Sequence, residues 1–209
     1  MPVVGIIPAG GSGERLGADR PKAFVVCAGR PLVDWSIDVL ASACERVVVA
    51  VPPGYEKGPD RVTGGPSRSA SVRNALAAAP EATVAVVHDA ARPLITAELV
   101  ERCLAALDGV DGAIAAAPVT DTIHTVDPGA VIAFTPPRSS LWAAQTPQVF
   151  RADILRRALA ADDATLAAAT DDAALVVAAG GRVRVVESPT GNLKVTTESD
   201  LRVVESALC

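Results

Sequence analysis

The sequence is poor in aromatic residues: three Phe, two Trp and one Tyr make up 3% of its 209 residues. A core of this chain must therefore be built from Ala, Val, Leu and Ile. Histidine is scarcer still, with only His88 and His124. The four cysteines, Cys27, Cys44, Cys103 and Cys209, are scattered, with no CxxC pair and no neighbouring histidine cluster. That excludes a disulfide framework or a zinc site and leaves reduced thiols as the expectation. No apolar run approaches the ~20 residues of a membrane span. The opening MPVVGIIPAGG lacks the basic start of a signal peptide. Neither membrane insertion nor secretion is expected, and a cytoplasmic location follows. No segment carries a run of Lys and Arg, and the net charge is -5. Wholesale binding of nucleic acid is not expected. A small anionic ligand is compatible with that charge, because a phosphate needs only a few cations and backbone N–H groups.

What is present is an ordinary globular composition, 50% hydrophobic and 21% charged. The length suits a single domain over residues 1–209. Short β-branched runs alternate with Ala/Leu-rich periodic stretches. Val3–Ile7, Val47–Val51, Thr83–Val87 and Gly112–Ala117 read as buried strands. Pro31–Ala43, Arg68–Ala79 and Ala97–Leu107 read as helices, the last capped by Thr96. The order βαβαβαβ predicts an α/β fold, a Rossmann-like and mostly parallel sheet with helices on both faces. Ligands of such sheets sit at the carboxyl ends of the strands.

Residues 119–138 break the rhythm. Two extended pieces flank the turn Asp127-Pro128-Gly129 and predict a projecting β-hairpin. The pattern fits an interaction arm and a plain surface excursion equally. Helices are then expected near Ala152–Ala161 and Asp172–Ala179, and a strand at Arg182–Glu187. A final helix begins about Glu198, with Thr197 and Asp200 spaced as a capping box. Asp171 and Asp172 fit acids at a helix N-terminus better than a metal pair.

The strongest local signal is Pro8-Ala9-Gly10-Gly11-Ser12-Gly13-Glu14-Arg15-Leu16-Gly17, followed by Arg20-Pro21-Lys22. Glycines after a first strand let the backbone approach a ligand and turn N–H groups toward phosphates. The loop is not a GxxxxGK[ST] loop, and its spacing misses the dinucleotide fingerprint, which excludes an NAD(P)-dependent oxidoreductase. Arg15 and Lys22 add cations suited to a polyphosphate. On the pattern alone, a glycine turn with two solvated basic residues remains open.

PAGGSGERLG…RPKAF resembles the signature of nucleotidyltransferases that activate sugars and polyols. Gly64–Val72 (GG-x-x-R-x-x-SV), Val87–Pro93 (VHDAARP), APVTDT, LWAAQTPQVF and Asn192–Leu201 (NLKVTTESDL) extend the likeness along the chain. Together these motifs resemble the methylerythritol phosphate cytidylyltransferase family of the non-mevalonate isoprenoid pathway. The resemblance implies attack of a polyol phosphate on the α-phosphorus of CTP, with pyrophosphate leaving. Such a reaction needs no Ser-His or Cys-His pair, since the nucleophile is already an anion.

By this resemblance Arg15, Lys22, Arg138 and Lys194 are catalytic. Ala9, Gly10, Gly11, Gly13, Gly65, Ser71 and Asp89 bind the nucleotide. Asp89, Arg92, Thr122, Arg138, Thr146, Lys194 and Thr196 bind the acceptor. No protein metal ligand is implied; Mg2+ is expected to be held by the CTP phosphates and water. The arm at about 119–138 is implied to dimerise, with Thr122 and Arg138 serving the neighbouring subunit's site. Read from the residues alone, Asp89 also fits a cap or turn, Arg92 a surface ion pair and Thr196 a strand surface. His88 reads as a residue packed beside the third strand and not as a base.

Two positions depart from the family. Pro66 and Ser67 stand where an acidic and a polar residue are usual, and Pro66 removes a backbone donor. Thr135-Pro136-Pro137 replaces a more polar approach to Arg138. A cytidylyltransferase for another polyol phosphate, such as ribitol 5-phosphate, shares the loop and the HDAARP-like motif. A non-catalytic nucleotide sensor on the same fold is disfavoured by joint retention of the four cations.

Overall fold

Alternation along the central strands decides the architecture. The computed structural model describes residues 1–11, 13, 16 and 20–209. Its elements, in chain order, begin with β1 (Val3–Pro8), the small pair β2 (Val26–Cys27) and β3 (Arg30–Pro31), and α1 (Leu32–Ala43). They continue with β4 (Arg46–Val51), β5 (Arg61–Thr63), α2 (Arg68–Ala77), β6 (Val84–Val87), α3 (Ala97–Ala105) and β7 (Gly112–Pro118). Next come β8 (Thr125–Asp127), β9 (Val131–Phe134), β10 (Trp142–Arg151), α4 (Ala152–Ala158) and α5 (Asp163–Ala168). The last are α6 (Asp172–Ala178), β11 (Val183–Glu187) and α7 (Glu198–Leu208).

Seven strands form one sheet in the order β11-β7-β10-β6-β1-β4-β5. All pairings are parallel except those of β10, which runs antiparallel to both β6 and β7. Successive residues of a strand point to opposite faces. Accordingly Val4 and Ile6 of β1, Val48 and Ala50 of β4 and Ala85 and Val87 of β6 enter one apolar layer, under α2, α4, α5 and α6. Ile7, Val49, Val51 and Val86 enter the other, under α1 and α3. Both faces are covered, so the strands read as continuous apolar runs. A third, small cluster joins Cys27, Leu32, Val195 and Val204.

The βαβαβαβ frame, the helices on both faces and the hairpin β8–β9 agree with expectation. Three elements differ. The longest strand, β10, is not among the strands that the sequence pattern predicts. Its buried half, 146–150, sets the polar Thr146 and Gln148 among apolar residues, and Pro147 argues against a central strand because proline donates no ladder bond. The register of β10 against β7 shifts between Ala144 and Gln148, which accommodates the proline. The helix expected over 152–161 ends at Ala158, and α5 follows as a separate turn capped by Asp162. The three-residue β5 is too short to carry a period.

The hairpin stands away from the core, and Val126, Val131, Ile132 and Phe134 are all more than half exposed. Packing is close where β7 meets β10. A Cβ placed on Gly112 would lie 2.5 Å from Cδ1 of Phe150, whose side chain is fully buried. Gly112→Ala is therefore expected to lower the unfolding free energy by about 1–3 kcal/mol through overpacking, measured by urea titration. An unchanged midpoint would show that Phe150 has room to move.

Candidate active site

The segments that follow β1, β5 and β6 at their carboxyl ends line one cavity of about 550 Å³. The glycine-rich loop leaves β1 where the Ala9 N–H donates to the Ala50 carbonyl at 2.7 Å. It closes on itself where the Lys22 N–H donates to the Gly11 carbonyl at 2.9 Å. Gly13 has φ +81°, and a Cβ there would meet the Arg20 carbonyl at 3.0 Å, so both conformation and space require glycine. Gly65 lies so close to α2 that a Cβ would come within 2.5 Å of the Ala70 Cβ.

Of the residues singled out from the sequence, Ala9, Gly10, Gly11, Gly13, Lys22, Gly65, Ser71, Asp89, Lys194 and Thr196 all line this cavity. Arg15 lies outside the described residues. Four others do not line it. Arg92 is expected to bind the acceptor, but it is buried beneath the segment 189–195, its Nη1 donating to the Asn192 carbonyl at 2.7 Å. Thr146 sits behind Asp89, buried on β10. Thr122 and Arg138 are exposed on the arm, and Arg138 donates to the Thr120 carbonyl at 2.8 Å. Within one chain the arm carries these two away from the cavity.

A chain of ionic contacts forms the cavity's far wall. Asp89 Oδ1 accepts from Arg68 Nε at 3.0 Å, and Oδ2 accepts from Lys194 Nζ at 2.6 Å. Arg68 Nη1 reaches on to Asp172 Oδ2 at 2.6 Å. Burial alone would raise the Asp89 carboxyl, but Arg68 and Lys194 outweigh it and hold the group well below the usual carboxylate range. Asp172 is different: burial dominates there and pushes its carboxyl up despite Arg68. In the sequence Arg68 shows only as part of GG-x-x-R. Its reach between Asp89 and Asp172 spans segments far apart in the chain, which no local pattern reveals. Asp171 is the N-cap of α6, accepting from the Ala174 N–H, as expected. Asp172, beside it, is fully buried.

Behind Asp89 the proton positions follow from elimination. His88 Nε2 faces the Arg92 carbonyl at 3.2 Å, which can only accept, so Nε2 carries the hydrogen. Burial holds the imidazole neutral, with its pKa lowered to about 4. Nδ1 is therefore an acceptor, and Thr146 Oγ1 donates to it at 2.9 Å. The same oxygen accepts from the Asp89 N–H at 3.1 Å. Fully engaged and hidden, His88 is a structural residue, as read from the sequence.

Elsewhere on the wall the Ser71 hydroxyl donates to the Ser67 carbonyl at 2.9 Å and accepts from the Gly65 N–H at 3.0 Å. Pro66 joins the lining without a donor of its own. The α7 helix completes the site indirectly. Its capping Asp200 accepts from the N–H groups of Thr196 and Thr197. Its Val204 shares the third apolar cluster with Cys27, just beyond Lys22, and with Val195, the neighbour of Lys194. One helix thus packs on both segments that carry the cavity's lysines.

The family model IspD: 2-C-methyl-D-erythritol 4-phosphate cytidylyltransferase matches residues 3–209. The chain belongs to this family. The relative of that name from Rhodococcus jostii (strain RHA1) is 46% identical over 212 residues, covering 96% of this chain and 92% of its own length. That from Parasynechococcus marenigrum (strain WH8102) is 42% identical over 218 residues, covering 97% of this chain and 96% of its own. The crystal structure of the Thermus thermophilus enzyme of that name superposes with a TM-score of 0.83 at 36% identity, over 99% of this chain and 98% of that one. The chain is thus a nucleotidyltransferase, and the cavity at the strand ends is where such chemistry belongs on this sheet.

The buried His88 makes stability depend on pH. Its folded pKa, about 4, lies below the ordinary value near 6.5. The unfolded chain therefore takes up this proton first as pH falls, and stability drops between about 6.5 and 4. The loss expected from this group is about 3 kcal/mol, read from urea midpoints across that range. An unfolding free energy that stays flat across the range would mean that His88 is charged in the folded protein.

Proposed function

We propose that this chain transfers CMP from CTP to 2-C-methyl-D-erythritol 4-phosphate, giving 4-diphosphocytidyl-2-C-methyl-D-erythritol and pyrophosphate, within a single domain over 1–209. The observation that carries this reading is the convergence of Lys22 and Lys194, from opposite ends of the chain, on a cavity floored by the glycine-rich loop. A phosphate oxygen of the acceptor forms a bond to the α-phosphorus, and the bond from that phosphorus to the bridging oxygen breaks. The nucleophile is an anion, so no base has to remove a proton. The protein's task is to bring two anions together and to stabilise charge on the transferring group.

In this reading Lys22 and Arg15 stabilise the triphosphate and the leaving pyrophosphate. Lys194, held by Asp89, receives the acceptor phosphate. The loop at Ala9 and Gly10 and the wall at Gly65 and Ser71 read cytosine through small groups, without ring stacking. A divalent cation such as Mg2+ would neutralise phosphate charge. Asp89 is the carboxylate lining the cavity among the described residues, and both its oxygens are engaged by cations. No group of three or more His, Cys, Asp or Glu is arranged for a metal among those residues. The described side chains do not build a cage, and the ion fits best on phosphates and water.

We further propose a homodimer through the arm. The exposed Val126, Val131, Ile132 and Phe134 form an apolar surface on a two-stranded hairpin, an element of marginal stability alone. Thr122 and Arg138 on that arm would complete the partner's site, and Thr146 and Arg92 would shape the acceptor end from beneath. A cytoplasmic setting accords with four free cysteines, of which Cys44 and Cys103 have thiols pushed by burial up to about 12. Among the described residues no helix is long and apolar enough to cross a membrane.

Pyrophosphate release from CTP, Mg2+ and the methylerythritol phosphate is expected to exceed release with ribitol 5-phosphate. The opposite order would replace the acceptor. Lys22→Ala should leave the circular dichroism unchanged and lower kcat by about a hundred- to a thousandfold. Mixing Arg138→Ala chains with Lys22→Ala chains should restore activity, because hybrid dimers hold one intact site. Verified hybrids without activity would place each site within one chain.

A further inference from the structure

We infer that Asp172 is a positioning residue: through Arg68 it fixes the carboxylate of Asp89, and through Asp89 the ammonium of Lys194. The inference rests on the phosphoryl-transfer reading above. The series begins at Asp172, whose side chain is 0% exposed, passes through Arg68 at 28% and Asp89 at 12%, and ends at Lys194 at 43%. The series therefore runs from the interior to the cavity with charges alternating in sign.

An acid in the first turn of a helix needs no burial to serve the helix dipole. Asp172 is nonetheless fully enclosed, and its Oδ1 has no hydrogen-bond partner. Burying a carboxylate is unfavourable unless it is well paired, and a buried ion pair is weak evidence for stability. Its geometry does something else here. One carboxylate alone would let the Arg68 guanidinium swing about its contact. Two carboxylates, on Nε and on Nη1, fix its plane. That plane sets which oxygen of Asp89 faces Arg68, and so where the other oxygen holds Lys194.

The start of α6 is itself anchored without Arg68. Gln148 of β10 donates to Asp171 Oδ2 at 2.8 Å and accepts from the Ala173 N–H at 3.3 Å. The backbone that presents Asp172 is therefore held by β10, and the amide variant Asp172→Asn keeps its shape while weakening the ionic series at its origin.

Asp172→Asn is expected to fold, by circular dichroism, and to lower kcat about ten- to a hundredfold, the order of loss that a misplacement of about 1 Å produces. KM for CTP should change little. Combining it with Arg68→Met should cost no more than Arg68→Met alone, since Asp172 acts only through that arginine. Labelling of Lys194 by an amine-acylating reagent, followed by mass spectrometry, should be faster in Asp172→Asn than in the wild type. A folded Asp172→Asn with wild-type kcat, or losses that multiply in the double variant, overturns the inference. If Asp172→Asn does not fold, the apolar replacement Arg68→Met/Asp172→Leu carries the test, and wild-type kcat in that protein overturns it. A wild-type chain that releases no pyrophosphate removes the reaction instead. Labelling then still decides: unchanged reactivity of Lys194 in folded Asp172→Asn defeats the inference whatever the reaction.

Discussion

The carboxylate of Asp89 is the point on which this site depends. It is a small anion at the end of β6, and each of its oxygens holds a cation from a different part of the chain. Arg68 arrives with α2, at the start of that helix. Lys194 arrives from the segment that leads into α7. Without the carboxylate, two cations would face one another across a partly buried wall, and neither would have a defined position. With it, the ammonium of Lys194 is held at the cavity wall. The backbone of the same residue is held from behind by the Thr146 hydroxyl, and that hydroxyl by a neutral His88. A hydrogen-bond chain and an ionic chain thus meet at one residue.

That arrangement is possible only on a rigid frame. Strict alternation along β1, β4 and β6 sends apolar side chains to both faces, and helices cover each face. The frame leaves the strand ends free for loops. The third cluster then ties the loop beyond Lys22 to the segment of Lys194 through α7. Aliphatic residues suffice for all of this, which accords with the proposed reading of the base by shape and backbone groups without ring stacking.

The charge of the whole chain, -5, says little about the site. Cations concentrate where the fold gathers them, and acids such as Asp89 and Asp172 are used to hold cations in place. The arm is the converse case. Its apolar side chains have no place in the core of their own chain, and its Thr122 and Arg138 lie away from the cavity beside Lys22 and Lys194. A second subunit is the proposed resolution of both features, since it would cover the apolar surface and receive the two polar groups.

Much of this is legible along the chain alone. Val3–Ile7 and its glycine-rich sequel declare a strand and a loop at its carboxyl end, because continuous apolar runs and glycine clusters carry their meaning locally. The hairpin at Asp127-Pro128-Gly129 and the capping box of Thr197 and Asp200 are local in the same sense, and both stand as read. Ten of the residues singled out for the site line one cavity. What the sequence by itself determined is therefore the βαβαβαβ frame, the hairpin, the capping box and the family. Tertiary structure alone decided the rest. The antiparallel β10 hides behind Pro147 because its pairing depends on a register shift against β7. Arg92 and Asp172 look like surface charges in a local window, and only packing shows them buried. The role of Arg68 is invisible along the chain, because an ion pair across 104 residues is a property of distance in space and leaves no period in sequence.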